Sequence, residues 1–162
     1  MSTIILGIGD LGVSNTPGDV IKTLALGSCV SVVLLEPRTR SVGMVHVALP
    51  ESSIDRAKAM ATPGYFADTG FFALLDAMKH ISCLQNEKSF IVKMVGGAQV
   101  LDPHNTFNIG KRNELALKKM LWTLGMGVQA EDVGGHISRS IAVDVDTGRI
   151  VITSAGRGSW EL

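Results

Sequence analysis

A thiol and an imidazole in this sequence could together attack an amide or an acyl group. Cys29 follows Gly27-Ser28, where the backbone can bend sharply at the start of a strand, and His46 interrupts an apolar strand. A cysteine thiolate is a strong nucleophile, and a neighbouring imidazole promotes its formation and then protonates the leaving amine. These residue types indicate a cysteine-dependent hydrolase, provided that the fold brings them together.

The elements around these two residues decide whether they can meet. Runs rich in Val and Leu, separated by Gly and Pro, predict three strands joined in part by a tight turn. The strands are Thr23–Leu26, Cys29–Glu36 and Val42–Leu49, and the turn is Pro37–Arg40.

The alignment of the last two strands determines which side chains share a face. If the turn places Glu36 opposite Ser41 in an antiparallel hairpin, Ser31 faces His46. Cys29 then lies on the same face as His46, as a diagonal neighbour about 7 to 8 Å away by backbone. A turn of odd length would place the two side chains on opposite faces.

Each of these residues also has a purely structural interpretation. A free cysteine ahead of a valine-rich strand is usually a small buried hydrophobe, and residue type alone favours that reading by about three to one. A histidine in an apolar strand needs a hydrogen-bond partner, because burying an unpaired polar group is costly. Thr23 is a candidate for fixing the imidazole tautomer, and otherwise it is an ordinary strand threonine.

The remaining patterns predict the rest of the fold. Apolar residues at helical spacing indicate two helices, and an Asp-Thr-Gly sequence indicates a hairpin between two further strands. The helices are Asp68–His80 and Asn113–Leu124, and the strands are Phe90–Val95, Ile141–Val145 and Arg149–Thr153. We therefore expect one α/β (α+β) domain over residues 1–162, with a core at about 20–153. Its sheet is mixed and largely antiparallel, with two main helices packed on it, and a mobile tail follows Ala155.

Composition narrows the class of protein. The 162 residues include 15 Lys plus Arg and 15 Asp plus Glu, and a chain without a basic excess is not typical of nucleic-acid binding. Its apolar runs are too short for a signal peptide or a membrane helix. The two cysteines lack CxxC spacing and are expected to be reduced thiols in the cytoplasm.

A series of motifs, in one order along the chain, resembles the CheD family of chemoreceptor glutamine deamidases. The first runs from Thr23 to Val30 and includes the Gly-Ser-Cys sequence, and the second is Gly43-Met44-Val45-His46 followed by Leu49-Pro50. The others are Phe66-Ala67-Asp68, Gly96-Gly97-Ala98, Asn108 to Asn113, Asp132 to Gly135 and Thr147-Gly148. The resemblance spans roughly residues 20 to 153.

The resemblance implies a fold, a reaction and partners. The fold is an α/β/α layered sandwich similar to the catalytic domain of cytotoxic necrotising toxins, and the catalytic set is Cys29, His46 and Thr23. The reaction is deamidation of glutamines on methyl-accepting chemotaxis receptors, with no metal or organic cofactor. A regulatory complex with a CheC-type phosphatase of CheY is also implied. A non-catalytic binding regulator of that phosphatase, or a thiol hydrolase of a small amide, are the alternatives.

Several further residues are candidates for the same cleft. The backbone amides of Ser28 or Cys29 could stabilise an oxyanion, because Gly27 permits unusual backbone angles. The resemblance places Gly96-Gly97 at the cleft, with Asn108, Arg112 and Asn113 as polar contacts to the substrate. Tight turns and the start of a helix are the structural alternatives for these residues. Three positions depart from the family pattern and are expected to affect substrate choice, namely Val42, Val95 and Ser138.

Overall fold

Two five-stranded sheets and three α-helices make up the part of the chain that is described by the computed structural model, residues 1–101, 104 and 106–162. The strands are β1 (Thr3–Leu6), β2 (Leu11–Ser14), β3 (Val20–Leu26), β4 (Val30–Glu36), β5 (Ser41–Val47), β6 (Ile91–Gly96), β7 (Ala130–Val133), β8 (Arg139–Asp144), β9 (Ile150–Ser154) and β10 (Gly158–Glu161). The helices are α1 (Arg56–Ala61), α2 (Ala67–Ser82) and α3 (Ile109–Thr123). Short 3₁₀ helices lie at Ser52–Ile54, Pro63–Tyr65 and Glu87–Ser89.

The strand orders are β1-β3-β8-β9-β10 in the first sheet and β2-β5-β4-β6-β7 in the second. The β1–β3 and β6–β7 pairs are parallel, and the other pairs are antiparallel. This confirms the predicted mixed α/β class with largely antiparallel pairing, although the strands divide between two sheets rather than one.

The second sheet is the middle layer of the molecule. All residues of β4 and β5 are buried, which requires a partner on each face of the sheet. One face, with Val32 and Val45, packs against Phe71 of α2 and Leu117 of α3. The other face, with Val33, Val42 and Met44, packs against Ile21, Ile141 and Ile152 of the first sheet. The layers are therefore helices, sheet and sheet.

This layer order corrects the α/β/α sandwich that the family resemblance implied. A second β-sheet covers the face of the middle sheet where a second helical layer was expected, because β3, β8 and β9 carry their own apolar faces. The comparison with the toxin domain stays a prediction.

The β4–β5 hairpin has the predicted register. Glu36 pairs with Ser41 and Ser31 pairs with His46, and the ladder ends at Val30 and Val47. The Glu36 carboxylate accepts hydrogen bonds from the backbone N–H and the hydroxyl of Thr39, at 2.8 and 3.0 Å, which closes the turn.

Both chain ends differ from the expectation. β1 and β2 precede the predicted core and add one strand to each sheet. The segment after Ala155, predicted to be a mobile tail, contains β10, which pairs with β9. The indole Nε1 of Trp160 donates to Asp132 Oδ2 at 2.6 Å, so a partly buried side-chain contact anchors β10 in addition to its pairing with β9. None of the described helices has the length and apolarity needed to cross a membrane.

Candidate active site

A threonine and a histidine meet in the layer between the two sheets. Thr23 lies on β3 and His46 on β5, and both point into the inter-sheet core because their neighbours at period two, Ile21 and Met44, belong to it. Thr23 Oγ1 and His46 Nδ1 are 2.6 Å apart, and His46 is only 2% exposed. The predicted pairing of these residues is thus present in the structure.

The hydrogen-bond partners of Thr23 determine the tautomer of His46. The Thr23 hydroxyl donates its one proton to the backbone carbonyl of Leu6 at 2.8 Å. It must therefore accept from His46, which places the imidazole proton on Nδ1 and leaves a lone pair on Nε2. Nε2 is buried and has no hydrogen-bond partner among the residues that the structure describes. The ring thus holds a free basic nitrogen.

Burial keeps this imidazole neutral. Desolvation lowers the pKa of His46 from its ordinary value of 6.5 to about 4, and the Asp10 carboxylate opposes this with a smaller upward effect. The β1–β2 loop also holds the backbone of His46: Gly9 N–H donates to its carbonyl at 2.8 Å, and its own N–H donates to Asp10 O at 3.0 Å. At neutral pH, His46 is therefore a positioned neutral base.

Cys29 lies just before β4, on the His46 side of the sheet. It is half-buried and packs against the inter-sheet core, and Ser31, two residues further on the same face, pairs directly with His46. Burial raises the pKa of the Cys29 thiol, so the resting side chain is protonated. Cys29 and His46 thus lie on one face of the middle sheet as a protonated thiol and a neutral imidazole, the two side-chain types that cysteine-dependent hydrolysis uses.

The loop that carries the thiol is held by its carbonyl groups. Gly27 O accepts from Ala98 N at 2.8 Å, Ser28 O from Asn113 Nδ2 at 3.0 Å and Cys29 O from Gly97 N at 2.8 Å. In a trans peptide the following N–H points opposite to the carbonyl, so the N–H groups of Ser28 and Cys29 point away from these partners. These are the two N–H groups that the sequence offers as donors to an oxyanion, and that role stays a prediction.

An apolar cleft of about 380 Å³ adjoins this loop. Gly27, Ser28 and Ser138 contribute to its wall, together with the side chains of Val100, Leu101, Phe107 and Ile109. Leu101 is 96% exposed and Phe107 is 70% exposed, which is unusual for side chains of this size. The cleft thus presents apolar surface beside the loop that precedes Cys29, although Cys29 itself does not line it.

Gly96 and Gly97 lie under the thiol loop. Both have positive φ angles, +118° and +67°. A Cβ atom on Gly96 would collide with the carbonyl of Cys29, and one on Gly97 would lie 3.0 Å from the carbonyl of Gly110. These glycines allow the loop and the start of α3 to approach closely, so the structure gives them a packing role where substrate contact was expected.

The three polar residues predicted to contact substrate lie in three different environments. Asn108 caps α3, and its Oδ1 accepts from Gln99 Nε2 at 3.2 Å. Arg112 lines a separate groove between α2 and α3. Asn113 is fully buried and donates to main-chain carbonyls. The structure therefore does not bring Arg112 and Asn113 into the cleft, because their positions on α3 face the outer groove and the core.

The three residues that depart from the family pattern lie in two different places, the inter-sheet core and the cleft. Val42 and Val95 are buried in the inter-sheet core. Ser138 lines the cleft, and its carbonyl accepts from Ser154 Oγ at 2.6 Å. Of the three, Ser138 is the residue positioned to affect what enters the cleft.

Sequence reasoning missed the contribution of the N-terminal residues to the site. Leu6 supplies the carbonyl that orients the Thr23 hydroxyl, and Gly9 and Asp10 hold the backbone of His46. No residue type in this segment points to such a role, because two of the contacts use backbone atoms only. Ser31 was predicted to face His46 but not to belong to the site, and its buried hydroxyl has no hydrogen-bond partner within residues 1–101, 104 and 106–162.

The fold and the site together define a class. Within the described part of the chain, no three His, Cys, Asp or Glu side chains are grouped closely enough to hold a metal ion. The structure places a half-buried thiol, a neutral imidazole and a hydroxyl that orients it on one side of the middle sheet, and these are the side-chain types that thiol-dependent hydrolysis of an amide or ester requires.

Comparisons with known proteins identify the family. A family model described as CheD chemotactic sensory transduction matches residues 48–154. A probable chemoreceptor glutamine deamidase CheD of Syntrophotalea carbinolica is 53% identical over 100% of both chains. A chemoreceptor glutamine deamidase CheD of Thermotoga maritima is 36% identical over 95% of this chain and 93% of its own. The chain belongs to the CheD family.

The family model matches residues 48–154 and so does not include Thr23, Cys29 and His46. The alignment with the Syntrophotalea carbinolica relative spans the whole chain and does include them. Among solved structures, the Bacillus licheniformis hypothetical protein YfiH aligns with 76% of this chain and 49% of its own, at 11% identity and a TM-score of 0.44.

Proposed function

We propose that this protein is a protein-glutamine glutaminase that converts selected glutamines of chemoreceptors to glutamates through a thioester on Cys29. Membership of the CheD family and the names of its relatives support the reaction and the substrate class. The single observation that carries the mechanism is the Thr23–His46 contact of 2.6 Å, which leaves a basic nitrogen free on the face that Cys29 shares.

The first half of the cycle forms the thioester. Cys29 Sγ attacks the glutamine Cδ while His46 Nε2 takes the thiol proton. The amide oxygen becomes an oxyanion, which the N–H groups of Ser28 and Cys29 stabilise. As the tetrahedral intermediate collapses, the C–N bond breaks, and Nε2 returns its proton to the leaving nitrogen, which departs as ammonia.

The second half of the cycle releases the product. A water molecule attacks the thioester carbonyl and gives a proton to His46 Nε2. The C–S bond then breaks, the proton returns to Sγ, and glutamate leaves the site. Thr23 accepts from Nδ1 throughout, so it stabilises the imidazolium that forms in each half.

The apolar cleft is consistent with a helical protein substrate. Val100, Leu101 and Phe107 offer apolar surface beside the thiol loop, and an amphipathic helix binds such a surface through its apolar face. Each conversion replaces a neutral amide with a carboxylate, which changes the charge of the receptor and supports chemotactic adaptation. We place the protein in the cytoplasm, where that part of the receptor lies.

A second proposal concerns regulation by a CheC-type phosphatase. Leu101 and Phe107 are exposed enough to bind a helix of a partner protein as well as a substrate helix. We expect replacement of Cys29 with Ala to abolish deamidation and to leave such binding intact, so the variant separates a catalytic role from a purely regulatory one.

Mass spectrometry of a receptor cytoplasmic fragment tests the proposed function. The fragment is incubated with the protein, with Cys29→Ala, and with Cys83→Ala as the matched cysteine control. We expect site-specific conversion of glutamine to glutamate with the unmodified protein and with Cys83→Ala, and none with Cys29→Ala. Retention of full conversion in Cys29→Ala would refute the mechanism.

A further inference from the structure

Asn113 lies beside the end of the β4–β5 ladder, where the segments that carry Cys29 and His46 stop pairing with each other. The β4–β5 ladder ends at Val30 and Val47, so Cys29 comes before it and Ala48 comes after it. Asn113, on the first turns of α3, donates through Nδ2 to Ser28 O at 3.0 Å and to Ala48 O at 3.0 Å. One side-chain amide thus joins the two segments just beyond their last ladder pair.

The orientation of this amide is unambiguous. Main-chain carbonyl oxygens only accept hydrogen bonds, so the NH₂ group and not the oxygen must face Ser28 and Ala48. Asn113 is 0% exposed, and its Oδ1 is buried with no hydrogen-bond partner in the described part of the chain. An unpaired buried acceptor lowers the free energy of unfolding. The two hydrogen bonds that Nδ2 donates must offset this loss.

The surroundings of Asn113 make this connection rigid. Gly110, one turn earlier on α3, approaches the carbonyls of Gly97 and Ala98 too closely to accept a Cβ atom. The same Gly97 and Ala98 donate to the carbonyls of Cys29 and Gly27. The thiol loop, the Gly97 turn and the start of α3 therefore form one packed unit, and Asn113 connects that unit to the end of β5.

We infer that Asn113 is a positioning residue, whose buried amide sets the separation of the Cys29 thiol and the His46 imidazole by joining Ser28 to Ala48. This inference rests on the proposed function, because the separation matters for the proton transfer between these groups. It replaces the substrate contact expected from the sequence. Because Asn113 does not reach the cleft, we expect its replacement to change kcat and not KM.

The test uses Asn113→Leu, which retains a buried side chain of similar size and removes both donors. A Cys83→Ser background makes Cys29 the reacting cysteine. Leu117→Ala is the control for general destabilisation, because Leu117 is buried one turn further along α3 in the core against the middle sheet. The readouts are the thermal midpoint, kcat and KM for deamidation, and the rate of Cys29 alkylation by iodoacetamide as a function of pH.

We expect Asn113→Leu to lower kcat by about tenfold or more, because small displacements of reacting groups are costly, and to leave KM within about twofold. We also expect a shifted pH profile of Cys29 alkylation. Leu117→Ala, even with an equal or larger loss of thermal midpoint, should retain both values. Unchanged kcat and alkylation in Asn113→Leu, or equal losses in the control, would overturn the inference.

A second variant covers failure of Asn113→Leu to fold. Asn113→Ser retains one hydroxyl donor in a smaller side chain, and we expect the same direction of change in kcat and in alkylation. Alkylation also separates the two proposals, because it needs no receptor. A shifted alkylation profile without any deamidation by the unmodified protein would support the role of Asn113 and refute the proposed function.

Discussion

Thr23 and His46 belong to different sheets, and their side chains meet at 2.6 Å in the core between them. The contact depends on a third atom, the carbonyl of Leu6, which takes the hydroxyl proton and so makes Thr23 an acceptor toward the ring. One threonine thereby selects the Nδ1–H tautomer and leaves Nε2 as the base.

Replacement of Thr23 with Val tests this selection. Val has nearly the same shape but no acceptor, so Nδ1–H loses its partner and the ring can adopt the other tautomer. We expect kcat for deamidation to fall by about 10²-fold or more, within the range of a general-base contribution. Stability should decrease by about 1–3 kcal/mol, the cost of leaving a buried donor unpaired. Steady-state kinetics and urea unfolding measure the two effects.

Thr23→Ser is the matched variant, since it keeps the hydroxyl and removes only a methyl group. It should retain most of the activity. Equal kinetic losses in Thr23→Val and Thr23→Ser would show that packing and not the hydroxyl accounts for the effect.

The low pKa of His46 predicts a loss of stability in acid. Its pKa is about 4 in the native state against 6.5 ordinarily, so between these values the unfolded chain binds a proton that the native protein does not. Stability therefore falls as the pH decreases through this window, by about 3 kcal/mol from this one group. Well above pH 6.5 the imidazole is neutral in both states and contributes no pH dependence.

Urea unfolding between pH 7 and pH 4, compared with a His46→Gln variant, isolates this contribution from that of the carboxylates. His80→Gln changes an exposed histidine and should retain the full pH dependence. An NMR titration of His46 with a midpoint near 6.5 would contradict the assignment of a buried, neutral imidazole.

Trp160 provides a test of the C-terminal strand. Its indole N–H donates to Asp132, which also accepts from Arg139 Nε at 2.9 Å, and Arg139 in turn donates to Gly134 O at 2.9 Å. Trp160→Phe removes one hydrogen bond to a charged group, and we expect a loss of about 1.5–3 kcal/mol in the free energy of unfolding.

Trp122→Phe is the natural control, because Trp122 is 83% exposed on α3. Its effect on urea unfolding should stay within about 0.5 kcal/mol. If Trp160→Phe and Trp122→Phe change the free energy of unfolding equally, the Trp160 indole does not anchor β10.

The sequence predicts the β4–β5 hairpin well because its information is local. A four-residue turn at Pro37–Arg40 and a side-chain period of two are enough to place Ser31 opposite His46. Thr23 is a candidate partner of His46 because a buried imidazole needs a group that fixes its tautomer, but the distance between two sheets has no signature in local spacing. The structure supplies that distance.

Other features depend on contacts between distant parts of the chain. β1 and β2 are short and only partly buried, so they lack the apolar pattern that would reveal them. Asn113 bonds to a carbonyl 85 residues away, and its motif suggested a substrate contact that its burial excludes. Phe72 fits the helical period but is half-exposed beside the groove between α2 and α3. These outcomes are set by tertiary packing.

The thioester on Cys29 is the central claim, and an acid-quench experiment tests it most directly. The protein and a receptor fragment are mixed, quenched in acid within one turnover, digested and analysed by mass spectrometry. We predict that the peptide containing Cys29 carries the substrate glutamyl group, joined to Sγ with loss of ammonia, and that the adduct disappears on longer incubation as glutamate forms. Turnover without any adduct, together with undiminished conversion by Cys29→Ala, would contradict the account.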